Sequence, residues 1–161
     1  MTKEMSLKDF KKKYSEFQIK YNLPSFEELN DCFQIEKASE NETDFILREV
    51  RKIIADRIFN YSRFVESLLN PVNVPMFVFS VIKTIDVKEK EKLTEIYKKL
   101  AKNEINLIEL DISSTEEKEV EFIQESFQLW QEIKKDLLEI IKVVKKNWDI
   151  EVEEGKKDYF G

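Results

Sequence analysis

The chain has 161 residues, 33 acidic and 27 basic side chains, a net charge of −6, and apolar and charged shares of 42% and 37%. That length suits one domain with its own core, and the many periodic apolar residues set the chain apart from a disordered one. The acidic balance disfavours affinity for nucleic acid backbones or anionic membranes.

Three absences narrow the chemistry further. Histidine does not occur, cysteine occurs once, at Cys32, and both glycines, Gly155 and Gly161, stand near the C-terminus. Without histidine there is no Ser-His-Asp or Cys-His pairing, and the commonest general base and metal ligand are missing. A lone cysteine excludes thiolate zinc sites and iron–sulfur clusters. Phosphate-cradling loops and tight hairpins need glycine inside the fold, so nucleotide fingerprints and a hairpin-rich β architecture are excluded as well. The unpaired cysteine fits a reducing compartment, the N-terminus lacks the apolar stretch of a secretory signal, and no apolar run approaches the ~20 residues of a membrane span. A cytoplasmic protein is expected.

In chain order, the first helix runs from Leu7 to about Tyr21, capped by Ser6, with Phe10, Tyr14 and Phe17 on one stripe. Pro24 interrupts the chain, and Ser25 with Glu28 forms a capping box for a short second helix that buries Phe26, Leu29 and Phe33. A long helix spans about Thr43 to Leu69 and ends at Asn70-Pro71. It carries every arginine of the chain, and Arg48, Arg51 and Arg63 fall with Lys52 on its polar side.

The segment "NPVNVPMFVFSVIKTID" packs an almost unbroken apolar run into a very polar chain. A helix apolar on every side belongs inside a bundle, so a buried helix is expected here, ahead of a buried strand or an exposed interface. Met76, Phe77 and Phe79 are the interface candidates if the run is exposed. A further helix covers about Lys88 to Leu110, with "LIELDI" as its strand-like end. Ser114 and Glu117 form a third capping box, opening a long helix to about Asn147 whose seam includes Val120, Ile123, Phe127, Trp130, Leu137, Ile141, Val144 and Trp148. Glu116, Glu117, Glu119 and Glu121 form its solvated, dipole-complementing first turns. Residues 149–161 read as a flexible acidic and aromatic tail in which Tyr159 and Phe160 are further partner contacts.

The fold class implied is all-α: a single-domain bundle of five or six helices over residues 1–148, framed by two long antiparallel helices. Helical spacing places Arg57, Lys134, Glu104 and Asp111 inside apolar arcs, which makes them candidates for a charged cluster in the bundle core. Such a cluster is either a structural ion pair or a receptor for a small anion. No catalytic residue, metal site or cofactor is assigned. The preferred function is a non-enzymatic interaction module, an adaptor or assembly subunit, with an unknown protein partner or a second copy. A small-anion sensor or enzyme is the alternative, and a nucleic-acid accessory protein a weaker one.

Overall fold

In a computed structural model, residues 5–40 and 42–160 are described, with the side chains of 158–160 left outside that description. Six α-helices and one 3-10 helix follow one another: α1 Leu7–Tyr21, α2 Phe26–Phe33, the 3-10 helix Ile35–Glu40, α3 Ile46–Leu69, α4 Met76–Ile82, α5 Val87–Ile112 and α6 Glu116–Phe160. No strand occurs among the described residues. The protein is an all-α domain in which α3, α5 and α6 pack together, with α1, α2 and the 3-10 helix laid against α3 and with α4 on α6.

Local chemistry explains most boundaries. The Ser6 hydroxyl accepts from the Asp9 N–H, and Ser25 and Glu28 complete a reciprocal capping box. With no glycine in this half of the chain, α1 and α2 end on left-handed Asn22 and Gln34, at φ 52° and 56°. α3 begins at Ile46 rather than Thr43, because the Thr43 hydroxyl accepts from the Phe45 N–H and closes a turn of its own. Thr115, not Ser114, caps α6 by accepting from the Lys118 N–H, while the Ser114 hydroxyl donates to Glu119.

The core is a continuous apolar cluster. Phe10, Tyr14, Phe26, Leu29 and Phe33 fill it under the N-terminal helices; Ile54, Ile58, Leu93, Leu100, Ile123 and Ile133 fill it between the long ones. Phe10 and Tyr14 each meet Phe26 edge-on with ring centres 6.1 Å apart, a favoured aromatic arrangement. Trp130 stacks on Tyr61 at 4.6 Å, joining α6 to α3.

The helix expected over about Lys88 to Leu110 is α5, and its strand-like end "LIELDI" is helical: Leu110 faces inward, and Ile108 and Ile112 face solvent. Two differences from the expected elements concern the later helices. α6 continues past Asn147 to Phe160, and its 45 residues reach about 68 Å at 1.5 Å each. The second difference is α4. It is a helix, but not a buried one: Val81 and Ile82 turn inward, while Met76 is 80% exposed and Phe77 and Phe79 also face solvent. Seven residues are two turns, and only one side of them reaches the bundle.

Candidate functional site

The four charged residues singled out by helical spacing do not assemble. Arg57 is half-buried on α3 and donates to the Gln34 side chain. Lys134 is exposed on α6 and Glu104 is half-buried on α5, and neither forms an ion pair among the described residues. Asp111 accepts from Arg51 Nη1 at 3.1 Å. No described hydrogen bond links any two of the four.

The buried charge cluster lies nearly two turns earlier on α3, at Arg51. Arg51 is 7% exposed; its Nε donates to Glu119 Oε2 at 2.9 Å and its Nη2 to Glu119 Oε1 at 3.3 Å, a two-pronged pairing of guanidinium and carboxylate. Ser114 donates to Glu119 Oε1 at 2.9 Å, and Arg48 Nε stands 4.0 Å from the same oxygen. Burial opposes the Arg51 charge, but Glu119 and Asp111 outweigh it, and the guanidinium is held protonated more firmly than usual. Arg51 is therefore absent from the basic surface expected of α3, and Glu119 from the solvated first turns of α6.

Sequence spacing carried a signal for this pair. The buried arc of α3 includes Ala55 and Ser62 beside Leu47, Ile54, Ile58 and Val65. Reading only large side chains as core turns the arc toward Tyr61 and Phe64 and so toward Arg57. Counting the small residues widens it to enclose Arg51, between Ile58 and Ser62. Glu119 similarly sits one residue before buried Val120 and four before Ile123.

Next to this clamp is a cleft of about 270 Å³ whose walls include Phe17, Phe45, Arg48, Thr115, Glu116 and Glu119. Its charges are already matched. Glu116 receives Lys20 Nζ at 2.9 Å and the Tyr21 hydroxyl, bonds that hold its carboxyl below the usual carboxylate range. The Arg48 guanidinium lies 4.8 Å from the centre of the Phe45 ring. Arrangements of this kind fix helices in register and offer no free group for acid–base work.

The surface feature that stands out lies at the other end of α6. Phe77 of α4 meets Trp148 edge-on with centroids 4.6 Å apart. Met76, Phe77 and Phe79 of α4, Val72 before it, and Trp148 and Ile150 of α6 are all exposed; at two residues' separation Phe79 turns to the other side of α4 from Phe77, and Ile150 to the other side of α6 from Trp148. The amide Nδ2 of Asn147 is buried there without a hydrogen-bond partner. Of the residues proposed from sequence as partner contacts, Met76, Phe77 and Phe79 are exposed on α4, and Phe77 rests against Trp148; the side chains of Tyr159 and Phe160 lie outside the described residues. Trp148, expected on the buried seam of the last helix, is instead 44% exposed, and Ile150 lies beyond the helix end that the sequence suggests.

Among the described residues no helix is long and apolar enough to cross a membrane. No protein-family model, curated protein or solved structure matches the chain.

Proposed function

We propose that this chain is a non-enzymatic helical interaction module, an adaptor or a subunit of a larger cytoplasmic assembly, that engages a protein partner or a second copy through the α4–α6 face. One observation carries the reading: Phe77 and Trp148 meet edge-on and both remain exposed, with Met76 beside Phe77 80% exposed, so the α4–α6 contact leaves large apolar side chains uncovered. Contiguous apolar patches on free-standing domains are small, and larger ones mark association sites in which aromatic residues serve as anchors. The internal ion pairs support the same reading, since they hold helices together and leave no unmatched reactive group in the cleft beside them. The convergence that a small-anion site needs is not found at Arg57, Lys134, Glu104 and Asp111.

Native mass spectrometry of the protein purified gently from its own host tests this. The expected result is a dimer or a stoichiometric complex for the unaltered chain, reduced to a monomer by Met76→Glu with Phe79→Glu, with the same circular dichroism and melting curve. A monomer for the unaltered chain across the micromolar range, with no bound protein, overturns the proposal.

A further inference from the structure

The second half of α5 turns a strip of isoleucines away from the bundle. Ile105, Ile108 and Ile112 recur at three- and four-residue steps and are 65%, 60% and 81% exposed. Leu100, Asn103 and Leu110 of the same helix are buried, so the isoleucines occupy the opposite side. Single surface isoleucines are ordinary, but three on successive turns make a continuous ridge.

The borders of this ridge are acidic. Helical spacing puts Glu104 and Asp111, the latter paired with Arg51, along one edge, and Glu109 along the other, with Lys102 two turns before it. Glu109 also lines a groove of about 100 Å³ between α5 and α6, together with Glu121 and Glu125 and with Lys118 as its cation. Glu109, Glu121 and Glu125 form no ion pair among the described residues. Partial burial, with Glu121 one turn away, pushes the Glu125 carboxyl up, and Lys102 and the Asn106 amide only partly offset this.

We propose that this face docks a basic amphipathic helix of a partner protein. Its apolar side lies along Ile105, Ile108 and Ile112, and its lysines or arginines reach Glu109, Glu121 and Glu125. The spacing matches the i, i+3, i+7 anchors by which a helix is read, and the carboxylates choose the sign of the occupant. An anionic membrane meets the same carboxylates and is repelled. A second copy packed antiparallel on this face brings the Glu104 and Asp111 edge against itself. The surface and the partner chemistry both differ from those of the α4–α6 face, so the proposal stands apart from that reading.

The probe is a fluorescein-labelled peptide of leucine and lysine at helical spacing, about two heptads long, titrated with the full chain and followed by anisotropy. Expected is saturable, salt-sensitive binding that Ile108→Glu weakens at least about tenfold, that Glu109→Lys with Glu121→Lys also weakens, and that Met76→Glu with Phe79→Glu leaves unchanged. Amide shifts on peptide addition are expected along residues 104–112. Ile108→Ser, which adds no charge, serves as the second variant, with melting curves to show that each protein is folded. Equal binding of a leucine–glutamate peptide, or affinity indifferent to both Ile108 variants, overturns the proposal. So does tighter association with phosphatidylglycerol vesicles, or a dimer that Ile108→Glu abolishes.

Discussion

Arg51 Nε donates to Glu119 Oε2 across 2.9 Å, joining α3 to α6 over 68 residues of sequence, with both side chains less than a tenth exposed. A buried pair of this kind adds little net stability compared with well-packed apolar residues, but it punishes the loss of one partner. Glu119→Gln is therefore expected to destabilise the fold by about 3–5 kcal/mol, by leaving the guanidinium buried with only Asp111 to balance it. Arg51→Met with Glu119→Leu is expected to fall near the unaltered protein or above it. Urea unfolding of the four proteins of that cycle measures both; additive losses rule the account out.

A second buried polar contact lies between α5 and α6. Asn103 Nδ2 donates to Ser126 Oγ at 3.0 Å, with Asn103 6% exposed and Ser126 fully enclosed. Ser126→Ala removes the acceptor and is expected to cost about 1–3 kcal/mol, because the amide is left without its bond. Asn103→Leu in the same chain should recover part of the loss. Chemical denaturation reads the difference, and a Ser126→Ala protein as stable as the original would mean that water reaches the amide through the groove between α5 and α6 lined by Asn103, Asn106 and Gln128.

The Tyr14 hydroxyl donates to the Pro24 carbonyl at 2.6 Å and fixes the turn between α1 and α2. Burial, with Glu28 close by, pushes the phenol well above its ordinary value of 10.0. The folded state thus keeps a proton that the unfolded chain releases near pH 10, so this group's contribution is fully present below pH ~10 and is lost as pH rises beyond it. Alkaline unfolding followed by absorbance at the tyrosinate band should show the loss. Tyr14→Phe, costing about 1 kcal/mol at neutral pH, should flatten the slope above pH ~10.

The two tryptophans make the α4–α6 face directly visible. Trp130 is half-buried and stacked on Tyr61, whereas Trp148 is exposed and bounded by Phe77. Acrylamide should quench two populations, and Trp148→Phe should remove the accessible one. Phe77→Ala should leave Trp130 alone and increase the quenching of Trp148. A single quenching constant in the unaltered chain would contradict the placement of α4.

Helix caps and large apolar stripes were legible in the sequence because they are local. Ser6, Ser25 and Pro24 delimit α1 and α2 to the residue, and Asn70-Pro71 ends α3 where expected. What sequence could not convey was how much of an apolar element finds a neighbour. α4 reads as core by composition, but two turns present only Val81 and Ile82 fully to the bundle, so Met76 and Phe79 remain outside. The ionic clamp is displaced from the position that large side chains suggest for a related reason: Ala55 and Ser62 carry no hydrophobic weight, though they extend the buried arc of α3 to the edge that holds Arg51. The 3-10 helix Ile35–Glu40 has no helical period; it depends on Asn30, whose side chain accepts from the Glu36 N–H.

The fully packed positions of α6 stop at Ile140, although the helix runs on to Phe160. Roughly 20 residues at 1.5 Å each carry its far end about 30 Å beyond that point. At physiological ionic strength fields between exposed charges fade within about 8 Å, so the bundle's acidic surface is screened from anything held at that end. The projecting helix insulates as well as extends. Its alternating lysine and glutamate blocks, Lys145 and Lys146, then Glu151, Glu153 and Glu154, then Lys156 and Lys157, form a local charge environment that an approaching molecule meets separately from the net charge of −6.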